Sequence, residues 1–200
     1  FVISNGTVCD IIEDIKPMQN EVFDRFENVW SCASSWRPHK RLKDNISYFL
    51  EHTDEKSCLV IAGANPDFRI FDKRILYAGE LSWQNLISLY KRSNNFIHLA
   101  WLDHCPNVVV DARAAGCNII CSNSGGTKEI AGINATLIEE DEWDLEPLRL
   151  YHPPEMDFSK KITNKIDSDI DIYNVSKSYL EVFQSTIDSV KEISELEDLL

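Results

Sequence analysis

Short apolar runs recur along the chain, separated by stretches in which apolar residues return every three or four positions. Val29–Trp36, Cys58–Ala62, Ile75–Ala78, Phe96–Ala100, Asn118–Ser122 and Ala135–Ile138 are the strand candidates. They are short and rich in β-branched or aromatic residues, and several end on Gly or a polar turn residue. Between them, Lys43–His52 puts Ile46, Phe49 and Leu50 on one helical face. Ser82–Arg92 offers Ser82 as an N-cap, with Leu86, Leu89 and Tyr90 at helical spacing. Asn107–Ala115 starts behind Pro106, which suits a first helical turn, and stops at Gly116, which suits a C-cap. The strand runs are not polar at alternate positions, as expected of parallel strands covered on both faces. Strand and helix alternate, so the pattern predicts an α/β fold: a doubly wound, mostly parallel sheet of about six strands.

Beyond Leu150 the character changes. Tyr151–Asp169 contains prolines and many charges and reads as a long connection (residues 151–169) rather than an element. Residues 170–190 read as an amphipathic closing helix with Ile172, Val175, Tyr179, Val182, Phe183 and Ile187 as its apolar stripe. The acidic tail, Glu192–Leu200, is expected to fray. At the other end, Phe1-Val2-Ile3-Ser4-Asn5-Gly6 has no initiator Met and reads like an interior strand leading into a turn, as in a piece of a longer protein.

Composition narrows the classes. A chain of 200 residues with 44% hydrophobic and 26% charged residues is long enough for one large domain with its own core, and is neither fibrous nor disordered. A formal charge of -13 argues against sequence-blind nucleic-acid binding, which needs a basic face, so no nucleic-acid partner is expected. Cysteines 9, 32, 58, 105, 117 and 121 form no Cys-x-x-Cys and no zinc spacing, and read as reduced thiols of a cytoplasmic protein. Sequons at Asn5, Asn45, Asn134 and Asn174 are ascribed to chance in an Asn- and Ser-rich chain without a signal peptide. No apolar run reaches the ~18 residues of a membrane span, so no transmembrane segment is expected.

Ligands of doubly wound sheets sit at the carboxyl ends of the strands, near the topological switch point. No Gly-x-Gly-x-x-Gly and no Gly-Lys-Ser/Thr is present, which demotes dinucleotide binding and P-loop hydrolysis. The turn Ala62-Gly63-Ala64-Asn65-Pro66 reads as ordinary. Asp103-His104-Cys105-Pro106-Asn107 leads into a helix whose N–H groups and dipole suit a phosphate, and Asp111 lies one turn inside. Those carboxylates could accept sugar or ribose hydroxyls, or Asp103 could merely cap the loop and Asp111 be a solvated helix position. Gly125-Gly126 lets backbone approach a ligand or another loop closely, or is simply a tight turn. Trp36-Arg37-Pro38-His39-Lys40-Arg41 is the densest basic cluster, placed where cations would grip a diphosphate, or else an exposed basic loop. His39 is either a solvated loop residue or a ligand, and His98, inside an apolar run, reads as a satisfied core histidine.

Together and in this order, these segments resemble the C-terminal, donor-binding domain of glycosyltransferase family 4, retaining enzymes of the two-Rossmann GT-B architecture. Asp103-x7-Asp111-Ala112-Arg113-Ala114-Ala115-Gly116 is similar to that family's Glu-x7-Glu-Ala-x-Ala-x-Gly signature. Ser124-Gly125-Gly126-Thr127-Lys128-Glu129-Ile130 is similar to its Gly-Gly-x-x-Glu-Ile stretch, and Arg37-Pro38-His39-Lys40-Arg41 to its basic first loop. Ile3-Ser4-Asn5-Gly6 resembles its interdomain linker, so residues 1–10 are expected to be a linker remnant within a single nucleotide-sugar-binding domain, 1–200, lacking an N-terminal acceptor domain.

The resemblance implies a Rossmann-like GT-B half that binds a nucleoside diphosphate-sugar as substrate and uses no cofactor and no metal. Asp103 would touch the donor sugar. Lys40, with Arg37 or Arg41, would neutralise the diphosphate leaving group. Asp111 would hold the ribose, Cys105 and Pro106 would belong to the donor-binding site, and the N–H groups near Asn107 and Val108 would add to the neutralisation of the diphosphate. The acceptor, a glycan or lipid-linked molecule, would bind mostly through the missing domain, so the isolated chain is expected to bind donor weakly and transfer little. Two departures bear on donor choice. Both signature glutamates are Asp, each shorter by one C–C bond of ~1.5 Å. Pro106 stands where the family usually has Gly, adding bulk and removing an N–H. A nucleotide-sugar epimerase on the same architecture and a non-catalytic donor-fold module are the rival expectations; a phosphorylase would want a pyridoxal-binding lysine motif, and none is visible.

Overall fold

The strand of Ser57–Ala62 is buried at every position, alternating Cys58, Val60 and Ala62 towards one layer with Leu59 and Ile61 towards the other. A strand sandwiched between two apolar layers needs both faces apolar, hence the unbroken hydrophobic run. The computed structural model describes residues 3–64, 66, 68–144, 146 and 148–197. Phe1 and Val2 of the expected opening strand, Asn65 of the turn at 62–66 and residues 198–200 of the tail lie outside the described residues.

The elements follow in the order α1 (Cys9–Asp14), β1 (Asn28–Ala33), α2 (Leu42–His52), β2 (Ser57–Ala62), β3 (Ile75–Gly79), α3 (Trp83–Arg92), β4 (Asn95–His98), α4 (Asn107–Ala114), β5 (Asn118–Ser122), α5 (Thr127–Ile130), β6 (Thr136–Glu140), β7 (Met156–Thr163) and α6 (Ile172–Glu197). The sheet is seven-stranded, ordered β3-β2-β1-β4-β5-β6-β7. Strands β1 to β6 run parallel, and β7 pairs antiparallel with β6. This is a doubly wound, Rossmann-like fold. The chain moves outward from β1 to β3, then crosses back to β4 on the other side of β1, so the switch point lies between β1 and β4. One core layer packs Ile12, Ile87, Tyr90, Val109 and Val110 onto the sheet; the other packs Ile46, Tyr48 and Phe49 of α2.

Most expected elements form within a residue or two of their expected bounds. Ser82 does cap α3, its side chain accepting from the Asn85 amide, and Gly116 follows α4 with a φ of 93°. Five expectations are corrected. β1 stops at Ala33 rather than Trp36, because the Trp36 indole folds back to donate to the Ala62 carbonyl at 3.1 Å. Residues 3–6 form no strand; Thr7 makes a single parallel bridge with Asp171, and α1 then buries Ile12 completely. The connection at 151–169 contains a true strand, β7, which adds an edge strand to the six expected parallel ones. As an edge strand it packs only Met156 and Phe158 against the core, and its lysines face out, which hides it in a polarity pattern. The helix at 170–190 extends to Glu197, so a helix covers much of the tail expected to fray. Of its stripe Val175 is 5% exposed and Val182 half-buried, whereas Tyr179, Phe183 and Ile187 are 41%, 58% and 49% exposed, so most of the stripe beyond Val175 faces out. No helix among the described residues is long and apolar enough to cross a membrane.

Candidate functional site at the β1/β4 switch point

Asn45 of α2 ties together the two loops that leave β1 and β4. Buried to 1% exposure, it donates to the carbonyls of Lys40 (3.1 Å) and Arg41 (2.8 Å) and accepts from the Leu99 amide (3.0 Å). That burial also closes the Asn45 sequon to glycosylation in the folded chain. The Trp101 amide adds a bond to the His39 carbonyl at 2.8 Å. With both loops held by buried bonds, Lys40 meets Asp103: Nζ lies 2.5 Å from Oδ2.

The same Oδ2 receives Nε2 of His98 at 2.8 Å. Burial alone would push the Asp103 carboxyl up, but the hydrogen bonds from His98 and Lys40 outweigh it and hold the group well below the usual carboxylate range. Burial lowers the pKa of His98 against the pull of Asp103, so it donates through Nε2–H as a neutral ring. His98 is thus a satisfied core histidine whose satisfaction consists in orienting a site carboxylate. Oδ1 of Asp103 accepts no hydrogen bond among the described residues.

Below this pair lies the Gly125-Gly126 turn. A Cβ on Gly126 would stand 2.0 Å from the His104 carbonyl oxygen, and one on Gly125 would stand 2.5 Å from that of Asp103. The Gly126 amide donates to the Asp103 carbonyl at 2.8 Å. The glycines form a tight turn and also let it approach another loop closely: the turn props the Asp103 loop from beneath.

Helix α4 begins at this loop. Asn107 and Val108 open it with amides that have no intrahelical acceptor, over an N-cap, Pro106, that makes no side-chain cap bond. Asn5 fastens the loop, its side-chain nitrogen donating to the Cys105 carbonyl (3.2 Å) and to Oδ1 of Asn107 (2.9 Å). One turn on, Asp111 is 8% exposed rather than solvated. Thr7 donates to its Oδ1 at 2.6 Å and the Trp83 indole to its Oδ2 at 3.0 Å. Burial raises the Asp111 pKa, and these two bonds only partly offset it.

Of the expected cations, the structure brings Lys40 to Asp103 and leaves Arg37 exposed at the mouth of the same loop. Arg41 is a correction. Its side chain, 1% exposed, turns inward to pair with Glu140 at 3.0 Å and to donate to the Pro154 carbonyl at 2.6 Å. Ser122 and Ser124 complete the shell around Glu140. A buried guanidinium held by a carboxylate is unavailable to a diphosphate, because losing it would strand Glu140 as an unpaired buried charge. His39 is buried as well, contrary to the solvated reading, with its ring 5.4 Å from that of Tyr151. Sequence reasoning missed Asn45, Thr7, Trp83 and Glu140, which act across long sequence separations without a local motif. For His98, nearness to Asp103 in the chain was the available signal.

The doubly wound sheet thus brings the Lys40 ammonium and the Asp103 carboxylate together at its switch point, beside the N-terminus of α4. The chain belongs to the glycosyl transferases group 1 family, whose sequence profile matches residues 18–145. Among solved structures it is similar to Anabaena Alr3699/HepE in complex with UDP-glucose (TM-score 0.53, 16% identity, covering 68% of this chain and 43% of that one). It is also similar to the sucrose-phosphate synthase tll1590 of Thermosynechococcus elongatus (TM-score 0.54, 14% identity, 70% and 39%). AviGT4, a glycosyltransferase involved in avilamycin A biosynthesis, matches with TM-score 0.56, 12% identity, and 94% and 58% coverage. At such identities the likeness is one of fold, and the chain spans less than half the length of the first two. A comparison with curated protein sequences found no match.

Proposed function

We propose that this chain is the donor-binding half of a retaining, family 4 glycosyltransferase that moves a sugar from a nucleoside diphosphate-sugar to a glycan or lipid-linked acceptor. The single observation that carries the reading is the Lys40–Asp103 pair beside the open N-terminus of α4. As the glycosidic bond breaks, negative charge builds on the departing diphosphate. Lys40, Arg37 and the amides of Asn107 and Val108 supply the cation and dipoles that stabilise it. Asp103, oriented by His98, offers its free oxygen to donor hydroxyls. The nucleoside extends into the cleft at the ends of β1 to β3, and acceptor binding falls to a domain beyond this chain. No metal enters this scheme, and the setting is cytoplasmic.

A second reading, a non-catalytic donor-fold module, is favoured by one observation: both oxygens of Asp111 are already bonded, to Thr7 and Trp83. For ribose to use Asp111, at least one of these bonds must yield. A thermal-shift screen of UDP-, GDP- and ADP-sugars on wild type and Asp111→Ala separates the two. The proposal expects a donor that stabilises wild type and stabilises the variant much less. Equal stabilisation of both removes Asp111 from the ribose site, and no shift with any donor favours the module.

A further inference from the structure

The cleft at the ends of β1, β2 and β3 has a volume of 470 Å³. Ala33, Ala62, Leu81, Leu86 and Val108 give it apolar walls suited to a flat aromatic ring. Among the described residues that line it, Glu80 is the only ionisable one. It follows Gly79 at the end of β3, is exposed, and has no ion pair or side-chain hydrogen bond among the described residues. A carboxylate at the rim of an apolar slot, spared from any protein partner, is an unspent acceptor.

We infer that the cleft selects a guanine base, with Glu80 as the residue that reads it; the inference rests on the donor-binding reading above. Position assigns Glu80 to the base rather than to the ribose. The phosphate end lies at the β1/β4 crevice, and β3 is two strands beyond β1. At a strand spacing of about 4.8 Å this places the end of β3 roughly 10 Å farther along the cleft. The ribose follows the phosphates directly, so the group that reaches β3 is the base.

Chemistry then chooses among bases. An ionised carboxylate only accepts, through two parallel oxygens. Guanine alone presents two adjacent donors on its pairing edge, N1–H and the 2-amino group, which match that fork. Uracil presents one N–H between two carbonyls, so a carboxylate that meets the N–H also faces a carbonyl oxygen. Adenine presents its amino group beside an acceptor nitrogen. A site that satisfies a bidentate pair with one base leaves the carboxylate facing acceptors with the others, and discriminates by about tenfold to hundredfold.

The test is isothermal titration of this chain and its Glu80→Gln variant with GDP, UDP and ADP. The expected result is that wild type binds GDP at least about tenfold tighter than UDP or ADP, and that E80Q brings the GDP-to-UDP ratio close to one. Wild-type binding of UDP or ADP as tight as GDP overturns the inference. So does an E80Q variant that keeps the GDP preference, or one that weakens GDP and UDP equally, which would make Glu80 a ribose contact. These outcomes leave the donor-binding reading standing. Absence of binding by all three nucleotides overturns that reading, and the guanine assignment with it.

Discussion

Asp103 and Asp111 belong to one short motif yet sit in opposite electrostatic settings. Two donors hold the Asp103 carboxyl below its ordinary range, while burial lifts that of Asp111. The first is favoured in its ionised form and can hold Lys40 in place; the second carries a desolvation penalty in its charged form. The penalty has a sign that can be measured. With its folded pKa above the unfolded value of about 3.9, Asp111 contributes most to stability below that value and loses the contribution as pH rises through the folded pKa. Asp111→Asn removes the titration. Wild type is therefore expected to gain stability relative to the variant as pH falls from 7 to 4, read from urea midpoints at each pH. A pH-independent difference would contradict the assignment. At this scale the sequence already pointed to Lys40, Asp103 and the start of α4, because a motif and a strand exit are local features. The inward turn of Arg41 was hidden, since its partner Glu140 lies 99 residues away and nothing local distinguishes a buried arginine from an exposed one.

Elements position the site through backbone contacts more than through side chains. The turn before α5 reaches the Asp103 loop so closely that only hydrogen fits at Gly126. Gly126→Ala is expected to destabilise the fold by about 1–3 kcal/mol, because the methyl must push apart two loops that are also hydrogen-bonded. A shift in the urea midpoint at constant slope checks this, and an unchanged midpoint would show that the loops yield freely. The parallel strands and α2, α3 and α4 were legible because strands buried on both faces and helices with one apolar face leave periodic signals. β7 was not legible, since an edge strand with outward lysines has lost the apolar face that periodicity detects. For α6 the sequence revealed amphipathicity and not packing: the stripe exists, and beyond Val175 most of it faces out.

Over the whole molecule, a chain of net charge -13 keeps Arg37 and Lys40 at the one crevice where the topology collects ligands. On the proposed function, a diphosphate would be repelled by the surface at large and attracted there, which would give position to an interaction that net charge disfavours. The third expected cation, Arg41, is instead spent inside the protein, so the account places the phosphate attraction chiefly on Lys40. Calorimetric titration of wild type and Lys40→Ala, each with a nucleoside diphosphate and with the corresponding unphosphorylated nucleoside, measures this directly. The prediction is that K40A weakens diphosphate binding by about tenfold to hundredfold and leaves nucleoside binding as it was. Equal diphosphate affinity in the two proteins would contradict the account.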